Sequence, residues 1–194
     1  MLGRSKKVLI ETERLVMRPL QHSDFRGWST VRHQSQGFLT PWEPTWAEDH
    51  LSRKSFSNRV YWSNRAVAQG TAVPLVMVRK QDGVLVGSIT LDNIRRGPSQ
   101  AATVGYWIGA PFARQGFMRE GLAAMLEHAF SDMGLSRLEA GCLPENAASR
   151  GVLEKVGFKY EGVAQAYLQI NGRWRNHVLY AALRLDRRGK TDAG

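Results

Sequence analysis

The chain has 194 residues, of which 43% are hydrophobic, and a formal net charge of +10. This length predicts a single domain over 1–194, with an ordered core at 9–186 and frayed ends at 1–8 and 187–194. The absence of a long apolar run and of an apolar segment near the charged start argues against a membrane span or a signal peptide, and predicts a cytoplasmic protein. One cysteine and scattered histidines exclude an internal disulfide and give no metal-ligand spacing.

Apolar periodicity, helix caps and turn residues divide the chain into helices and strands that alternate without a repeat or a low-complexity linker. In chain order they are an extended segment at 9–20, a helix from Ser23–Asp24 to about His33, a loop at 37–44, a helix at 47–69, strands at 72–79, 85–94 and 101–108, a helix at 120–133, a strand at 137–143, a helix at 145–156, and strands at 160–170 and 174–185 joined by a turn at 171–172. This order predicts an α+β domain with a mixed, mostly antiparallel sheet.

Two features narrow the class of function without deciding it. The positive charge suits a polyanionic partner, either a phosphorylated cofactor or RNA. Part of that charge falls at 4–7 and 187–190, and the rest forms no basic-aromatic stripe and no RNA-binding signature. The loop at 37–44 combines two prolines with large apolar side chains, which is typical of a binding loop or a packed lid.

The most informative segment is 106–120, where a strand ends and a glycine-containing turn leads into a helix. A helix start carries unpaired amide groups and a partial positive charge, and Arg114 and Arg119 add full charges beside it. The segment therefore favours binding of a pyrophosphate. An ordinary turn with two solvated arginines is the alternative.

Here the sequence resembles the GNAT acyltransferase superfamily, whose acetyl-CoA loop reads Gln/Arg-x-x-Gly-x-Gly/Ala before such a helix. Gly116 matches the central glycine, whereas Ala113 and Met118 depart from the pattern. A strand, Asn146-Ala147-Ala148-Ser149 and then Gly157-Phe158 follow in the family's order. Together with the segments 38–44, 161–162 and 171–180, the match is similar to the RimJ/RimL branch, with the RimJ type fitting best over 13–185.

The resemblance implies a GNAT-like single domain with a six- to seven-stranded sheet, helices on both faces and a splayed central strand pair. It implies acetyl-CoA as co-substrate and no metal. Cofactor-binding residues on this basis are Trp107, Ile108, Arg114, Gln115, Gly116, Phe117, Met118, Arg119, Asn146 and Ser149. Asn146 alternatively only caps the helix that follows it.

The expected chemistry is direct attack of an amine on the thioester, without an acyl-enzyme. Cys142 lies in an apolar strand and has no adjacent base, so it is interpreted as a buried small residue. Catalytic candidates are Ser149, Tyr106 and Asp92, with Tyr167 and His177 as further candidates for the base. Candidates for substrate binding are Trp42 and Tyr167, whereas Trp46 and Trp62 are either pocket walls or core. The glutamate that RimL-type enzymes are thought to use has no counterpart at 167–169.

The resemblance implies acetylation of the N-terminal alanine of a ribosomal protein. Two alternatives stay open: an N-acetyltransferase of small amines such as amino acids, polyamines or antibiotics, and a ribosome- or RNA-binding module that keeps acetyl-CoA as a ligand. A basic enzyme and a basic ribosomal protein repel each other, so we expect nearby rRNA to assist recognition. The oligomeric state stays open.

Overall fold

The structure is a computed structural model and describes residues 8–185. The predicted frayed ends lie outside the described residues except for Val8, and so do the charged runs at 4–7 and 187–190. The described residues form the strands β1 (Ile10–Glu11), β2 (Leu15–Arg18), β3 (Val73–Arg79), β4 (Leu85–Arg95), β5 (Ala101–Ile108), β6 (Arg137–Cys142), β7 (Lys159–Ile170) and β8 (Arg173–Leu183). The helices are α1 (Phe25–Gln34), α2 (Gln36–Leu39), α3 (Arg53–Gln69), α4 (Phe117–Ser131) and α5 (Ala147–Val156).

The strands form one sheet in the order β1-β2-β3-β4-β5-β6-β8-β7. Every neighbouring pair is antiparallel except β5 and β6, which confirms the predicted mixed, mostly antiparallel sheet. The sheet has eight strands rather than six or seven, because the extended segment at 9–20 divides into β1 and β2. A turn separates them, in which the Thr12 hydroxyl accepts a hydrogen bond from the Leu15 amide at 3.0 Å.

Helices cover both faces of the sheet, as predicted. Side chains alternate across a strand, so Met77 packs in the cluster beneath α4 and Val76 in the cluster that includes Trp28 of α1 and Phe56 of α3. The Ser35 hydroxyl, fully buried at the end of α1, accepts a hydrogen bond from the Ala110 amide at 2.9 Å. This bond fixes α1 against the end of β5.

The strands β5 and β6 separate along their length, which confirms the predicted splay. Their pairing is confined to Ala101–Thr103 with Arg137–Glu139. Beyond this point β5 continues to Ile108 with only β4 as its neighbour, while β6 pairs with β8. A cleft therefore opens between the two strands.

Several predicted boundaries were wrong, each for a local reason. The helix predicted from residue 47 begins at Arg53, because Ser52 caps it by accepting a hydrogen bond from the Ser55 amide at 3.1 Å. The helix predicted from residue 120 begins at Phe117, directly after Gly116 in the left-handed conformation. The predicted loop at 37–44 contains the end of α2 and a 3₁₀ helix, which tolerates Pro41 near its start.

Candidate active site

The cleft between β5 and β6 has a volume of about 570 Å³. Five parts of the chain line it: 104–107 of β5, 140–143 at the end of β6, 145–149 and 152–153 in and before α5, the segments 38–39 and 42–44, and 168–170 with His177 from the last hairpin. Its walls thus come from segments far apart in the sequence. The cleft exists because β5 and β6 diverge.

The free edge of β5 faces this cleft. Val104 to Ile108 pair with β4 on one side, from Leu91 to Gly87, and no strand within 8–185 pairs with them on the other. An extended ligand can pair with such an edge through backbone hydrogen bonds. Trp107 and Ile108, which the resemblance implies as cofactor-binding residues, lie on this edge.

The structure brings the predicted residues Tyr106 and Ser149 into contact. Their hydroxyl oxygens are 2.9 Å apart, and the Tyr106 hydroxyl also lies 3.3 Å from the Ser149 carbonyl oxygen. Burial raises the pKa of Tyr106, and the Ser149 hydrogen bond opposes that rise. Tyr106 is therefore protonated near neutral pH, and its hydroxyl is available as a hydrogen-bond donor.

Asn146 caps α5, as the alternative interpretation held. Its side-chain oxygen accepts a hydrogen bond from the Ser149 amide at 3.0 Å. Asn146 also lines the cleft, so its amide group adjoins the space where a cofactor would bind. The cap fixes the start of α5 and with it the position of the Ser149 hydroxyl.

A positively charged hollow of about 320 Å³ lies between the start of α4 and one face of α5. Arg114, Arg119 and Lys155 line it, and within 8–185 no carboxylate forms an ion pair with any of these cations. The first amides of α4 lack intrahelical partners, as at any helix start. Amides and cations together fit a pyrophosphate, which is the group that the sequence predicted at this segment.

The turn before α4 shows how the departures from the family loop are accommodated. Met118 lines the hollow and is at the same time buried in the core. Phe117 is buried in the same way. Gln115 does not line the hollow, and its side-chain amide donates to the Pro111 carbonyl at 2.8 Å. Phe117 and Met118 lie in the first turn of α4, so their amides are among those without intrahelical partners.

The remaining predicted residues lie in different places. Trp42 lines the cleft. Tyr167 is exposed and is not among the cleft-lining residues; its ring lies 5.5 Å from that of His177. His177 is buried, lines the cleft, and its Nδ1 lies 3.1 Å from the Arg175 carbonyl oxygen.

Asp92 lies outside the cleft, in a separate groove beneath α3. This groove has a volume of about 450 Å³ and shares only Gly105, Tyr106 and Trp107 with the cleft. The Asp92 carboxylate accepts a hydrogen bond from the Asn93 amide at 2.8 Å. The structure therefore places Asp92 outside the cleft that holds Ser149, although Tyr106 lines both cavities.

Sequence reasoning missed several charged groups around the site. Glu43 and Glu145 both line the cleft, and each is paired with an arginine, Arg32 and Arg175 respectively. Lys155 was not assigned to the phosphate site. Glu43 belongs to the proline-containing segment whose composition already indicated a binding role, whereas nothing local to Lys155 indicated its position.

Cys142 is buried at the end of β6 and borders the cleft. Burial raises the pKa of its thiol, so the reactive thiolate is disfavoured. This agrees with its interpretation as a small buried residue rather than an acyl carrier.

The sequence profile of the acetyltransferase (GNAT) domain matches residues 14–159. This chain belongs to the GNAT acetyltransferase family. It is therefore an acetyl-CoA-dependent N-acetyltransferase, which confirms the predicted fold, enzyme class and co-substrate. The match includes β2 to the start of β7, and with them the hollow and all of the cleft lining except 168–170 and His177.

Relatives of this GNAT chain place it in the RimJ/RimL branch. It is 32% identical over 90% of both chains to the [ribosomal protein uS5]-alanine N-acetyltransferase of Escherichia coli. The RimJ structure from Mycobacterium smegmatis in complex with a CoA-disulfide matches with a TM-score of 0.87 and 29% identity, covering 96% of this chain and 92% of the other. The ribosomal-protein-S5-alanine acetyltransferase of Vibrio fischeri matches with a TM-score of 0.86 and 28% identity, covering 94% of this chain and 100% of the other.

Two further observations concern metals and membranes. Within 8–185, no group of three His, Cys, Asp or Glu side chains is placed to hold a metal ion. In the same residues, no helix is long and apolar enough to cross a bilayer.

Proposed function

We propose that this enzyme transfers the acetyl group of acetyl-CoA to the N-terminal alanine amine of a ribosomal protein. The observation that carries the proposal is a reaction site open on two sides: the cleft adjoins the phosphate hollow through Ala147, Ala148 and Val152, and the groove beneath α3 through Gly105–Trp107. One side can take the cofactor while the other leaves room for a polypeptide end. The similarity to the uS5-alanine acetyltransferase of E. coli supports alanine as the acceptor residue.

The reaction forms a C–N bond to the amine and breaks the C–S bond of the thioester, and one proton moves from the nitrogen, through water, to the departing sulfur. Acetyl-CoA supplies the activated acyl group. The free edge of β5 and the start of α4 would hold it, with Arg114, Arg119 and Lys155 around its phosphates. This fixes the acyl carbon in a narrow space, which lowers the entropic part of the barrier.

Tyr106 and Ser149 would act on the leaving sulfur. Because Tyr106 stays protonated, its hydroxyl can donate a hydrogen bond to the thiolate that forms as the C–S bond breaks. Ser149, 2.9 Å away, orients that hydroxyl or relays its proton. Asn146 holds the Ser149 backbone in place.

The amine needs only weak assistance in losing its proton. An α-amine has a pKa near 8, about two units below that of lysine, so a useful fraction is neutral at pH 7. Glu43 and Glu145 line the cleft as carboxylates, but both are engaged by arginines. We propose that water removes the proton, and that Asp92, away from the cleft, contributes to acceptor binding instead.

The test is CoA release with purified enzyme, acetyl-CoA and a panel of acceptors: peptides that begin with alanine, serine or methionine, lysine peptides, polyamines and aminoglycosides. We expect the peptide that begins with alanine to be preferred. Turnover of a small amine alone would contradict the ribosomal acceptor. Salt-sensitive RNA binding without any turnover would favour the binding-module alternative.

Association with rRNA is a separate part of the proposal. The charge of +10 opposes docking of a basic protein, and rRNA would offset this repulsion. We expect acetylation of ribosomal protein within a ribosomal particle to exceed that of the free protein. Equal rates before and after nuclease treatment would contradict a role for rRNA.

A further inference from the structure

The groove beneath α3 contains polar groups that the proposed chemistry does not use. Arg59 and Ser63 of α3 line it together with Trp62, and the floor is formed by strands β3 to β5. Because the groove shares Gly105–Trp107 with the cleft, a chain whose amine lies in the cleft can continue into it.

Ser63 is buried but has an unused hydrogen-bonding group. It is 3% exposed, and its hydroxyl has no hydrogen-bond partner within the described part of the chain. A helical serine normally bonds to the carbonyl one turn earlier or to solvent. A buried hydroxyl without either is a group for which a ligand can supply the partner.

Arg59 lies one turn before Ser63, on the same face of α3. No carboxylate in 8–185 forms an ion pair with its guanidinium, whose Nη2 lies 3.4 Å from Nδ1 of His50. Arg59 also lies over the ring of Trp28, with Cζ 5.4 Å from the ring centroid. Its five N–H donors are thus far from saturated.

A neighbouring ion pair explains why Arg59 lacks a carboxylate. Both oxygens of Glu43 are bound by Arg32, at 2.8 and 2.6 Å, and one of them also accepts from the Trp46 indole at 2.7 Å. Desolvation and the charge of Arg32 lower the pKa of Arg59, and the charge of Glu43 opposes this shift. The positive charge left over therefore lies at the groove.

We infer that Arg59 and Ser63 form a carboxylate-binding subsite that takes an Asp or Glu side chain close behind the N-terminus of the acceptor polypeptide. A guanidinium and a hydroxyl can both donate to carboxylate oxygens, and such charge-assisted bonds are strong. Asp92 lines the same groove, which favours a single carboxylate over a polyanion such as RNA. The inference rests on the proposed function for the identity of the acceptor.

The groove also accounts for selection among polypeptide ends. An extended chain advances about 3.3 Å per residue, so a cavity of about 450 Å³ next to the reaction site can hold the few residues after the first. Trp62, 53% exposed, lies on the lining of this groove and can cover the stem of a bound side chain. A basic acceptor protein then needs only one acidic residue near its start.

The experiment compares kcat/KM for matched peptides that begin with alanine and carry either Glu or Gln at the second, third, fourth or fifth position. We expect Glu to be favoured by about tenfold in at least one of these positions. Arg59→Gln should abolish that preference, and Arg59→Lys should retain part of it. Arg65→Gln makes the same charge change on α3 outside the groove and should leave the preference intact.

Ser63→Ala should reduce the preference by a few-fold. Ser57→Ala, on the same helix but outside the groove, is its control. Thermal unfolding of each variant separates loss of the subsite from loss of the fold, and the neutral Gln peptide should be acetylated equally by wild type and Arg65→Gln.

Three results separate the failure of this inference from that of the proposed function. Equal use of Glu and Gln peptides at every position would overturn the subsite while peptide acetylation stands. The wild-type enzyme could instead prefer free alanine to alaninamide, with the preference lost in Arg59→Gln. That result would support a carboxylate subsite but overturn the proposal that the acceptor is a ribosomal protein. If no peptide turns over, anisotropy of fluorescent acetylated peptides makes the same Glu–Gln comparison, and equal affinities would overturn the subsite.

Discussion

The hollow between α4 and α5 and the groove beneath α3 both adjoin the cleft, but they are built from different parts of the chain. The hollow relies on amides at the start of α4 and on cations at its rim. The groove relies on side chains of α3 and the sheet, held by the contacts of Arg32 with Glu43 and Trp107. Backbone groups tolerate changes of side chain, so the hollow suits a cofactor common to a family, whereas the groove can vary with the acceptor.

The largest expected effect is on the acceptor side. Glu43→Gln removes the charge that compensates the buried Arg32, and we expect the free energy of unfolding to fall by about 3 kcal/mol. The backbone carbonyl oxygen of residue 43 also accepts a hydrogen bond from the Asn171 amide, and the substitution leaves this bond in place. The segment therefore stays near the last hairpin, whereas the side chain at position 43 no longer forms an ion pair with Arg32. The KM for the acceptor should rise more than that for acetyl-CoA.

Urea unfolding and initial rates measure these effects. Glu48→Gln, an exposed change in the same segment, is the control. An equal loss of stability in both variants would show that the ion pair with Arg32 does not hold the acceptor side.

Tyr106→Phe tests the reaction site between the two regions. Loss of the hydroxyl should lower kcat roughly 100-fold with little change in either KM, because it acts only as the C–S bond breaks. Tyr61→Phe, at an exposed position of α3, should have no effect. An unchanged kcat at saturating substrates would show that Tyr106 takes no part in the reaction. A larger loss of kcat in Ser149→Ala than in Tyr106→Phe would show that Ser149 is the principal hydrogen-bond donor.

Gly116→Ala tests the cofactor side. Gly116 has a φ of 82°, and an added Cβ would lie 3.3 Å from the Arg14 guanidinium. We expect a stability loss of about 1 kcal/mol and a rise of about tenfold in the KM for acetyl-CoA. Gly134→Ala carries a similar strain, at a φ of 67° with open space around it, and lies away from the hollow. A raised KM for acetyl-CoA in both variants would point to general loss of structure rather than to the phosphate site.

The smallest expected effect concerns pH and His50. Desolvation, with Arg32 and Arg59 nearby, lowers the pKa of His50 to about 4. The unfolded chain therefore binds the extra proton between pH 6.5 and 4, and stability falls as the pH decreases through this range. Because the ring is only partly buried, we expect a loss of about 1 kcal/mol after solvent screening.

Thermal unfolding of wild type and His50→Gln at pH 7 and pH 5 measures this effect. The difference between the two pH values should be smaller in the variant. A steeper dependence in His50→Gln would contradict the sign of the pKa shift.

Local sequence signals predicted the features that depend on neighbouring residues. Asn171-Gly172 marked the turn between β7 and β8, Asn146 marked the start of α5, and the glycine at 116 marked the turn before α4. Each depends on a conformational preference or a cap that acts over a few residues. The errors in the helix starts at 47 and 120 came from preferring apolar periodicity over the caps at Ser52 and Gly116.

The order of the sequence motifs was enough to predict the family, the cofactor and the splayed strand pair, because these features follow from the match to known acetyltransferases. Tertiary structure decided the rest. Tyr106 and Ser149 are 43 positions apart and meet only because β5 and α5 face one cleft. Tertiary structure also brings Lys155 to the phosphate hollow. It pairs Glu43 with Arg32, which leaves Arg59 without a carboxylate partner among the described residues. Such contacts depend on which strands pair and on which charges are buried together, and neither is encoded in the residues next to them.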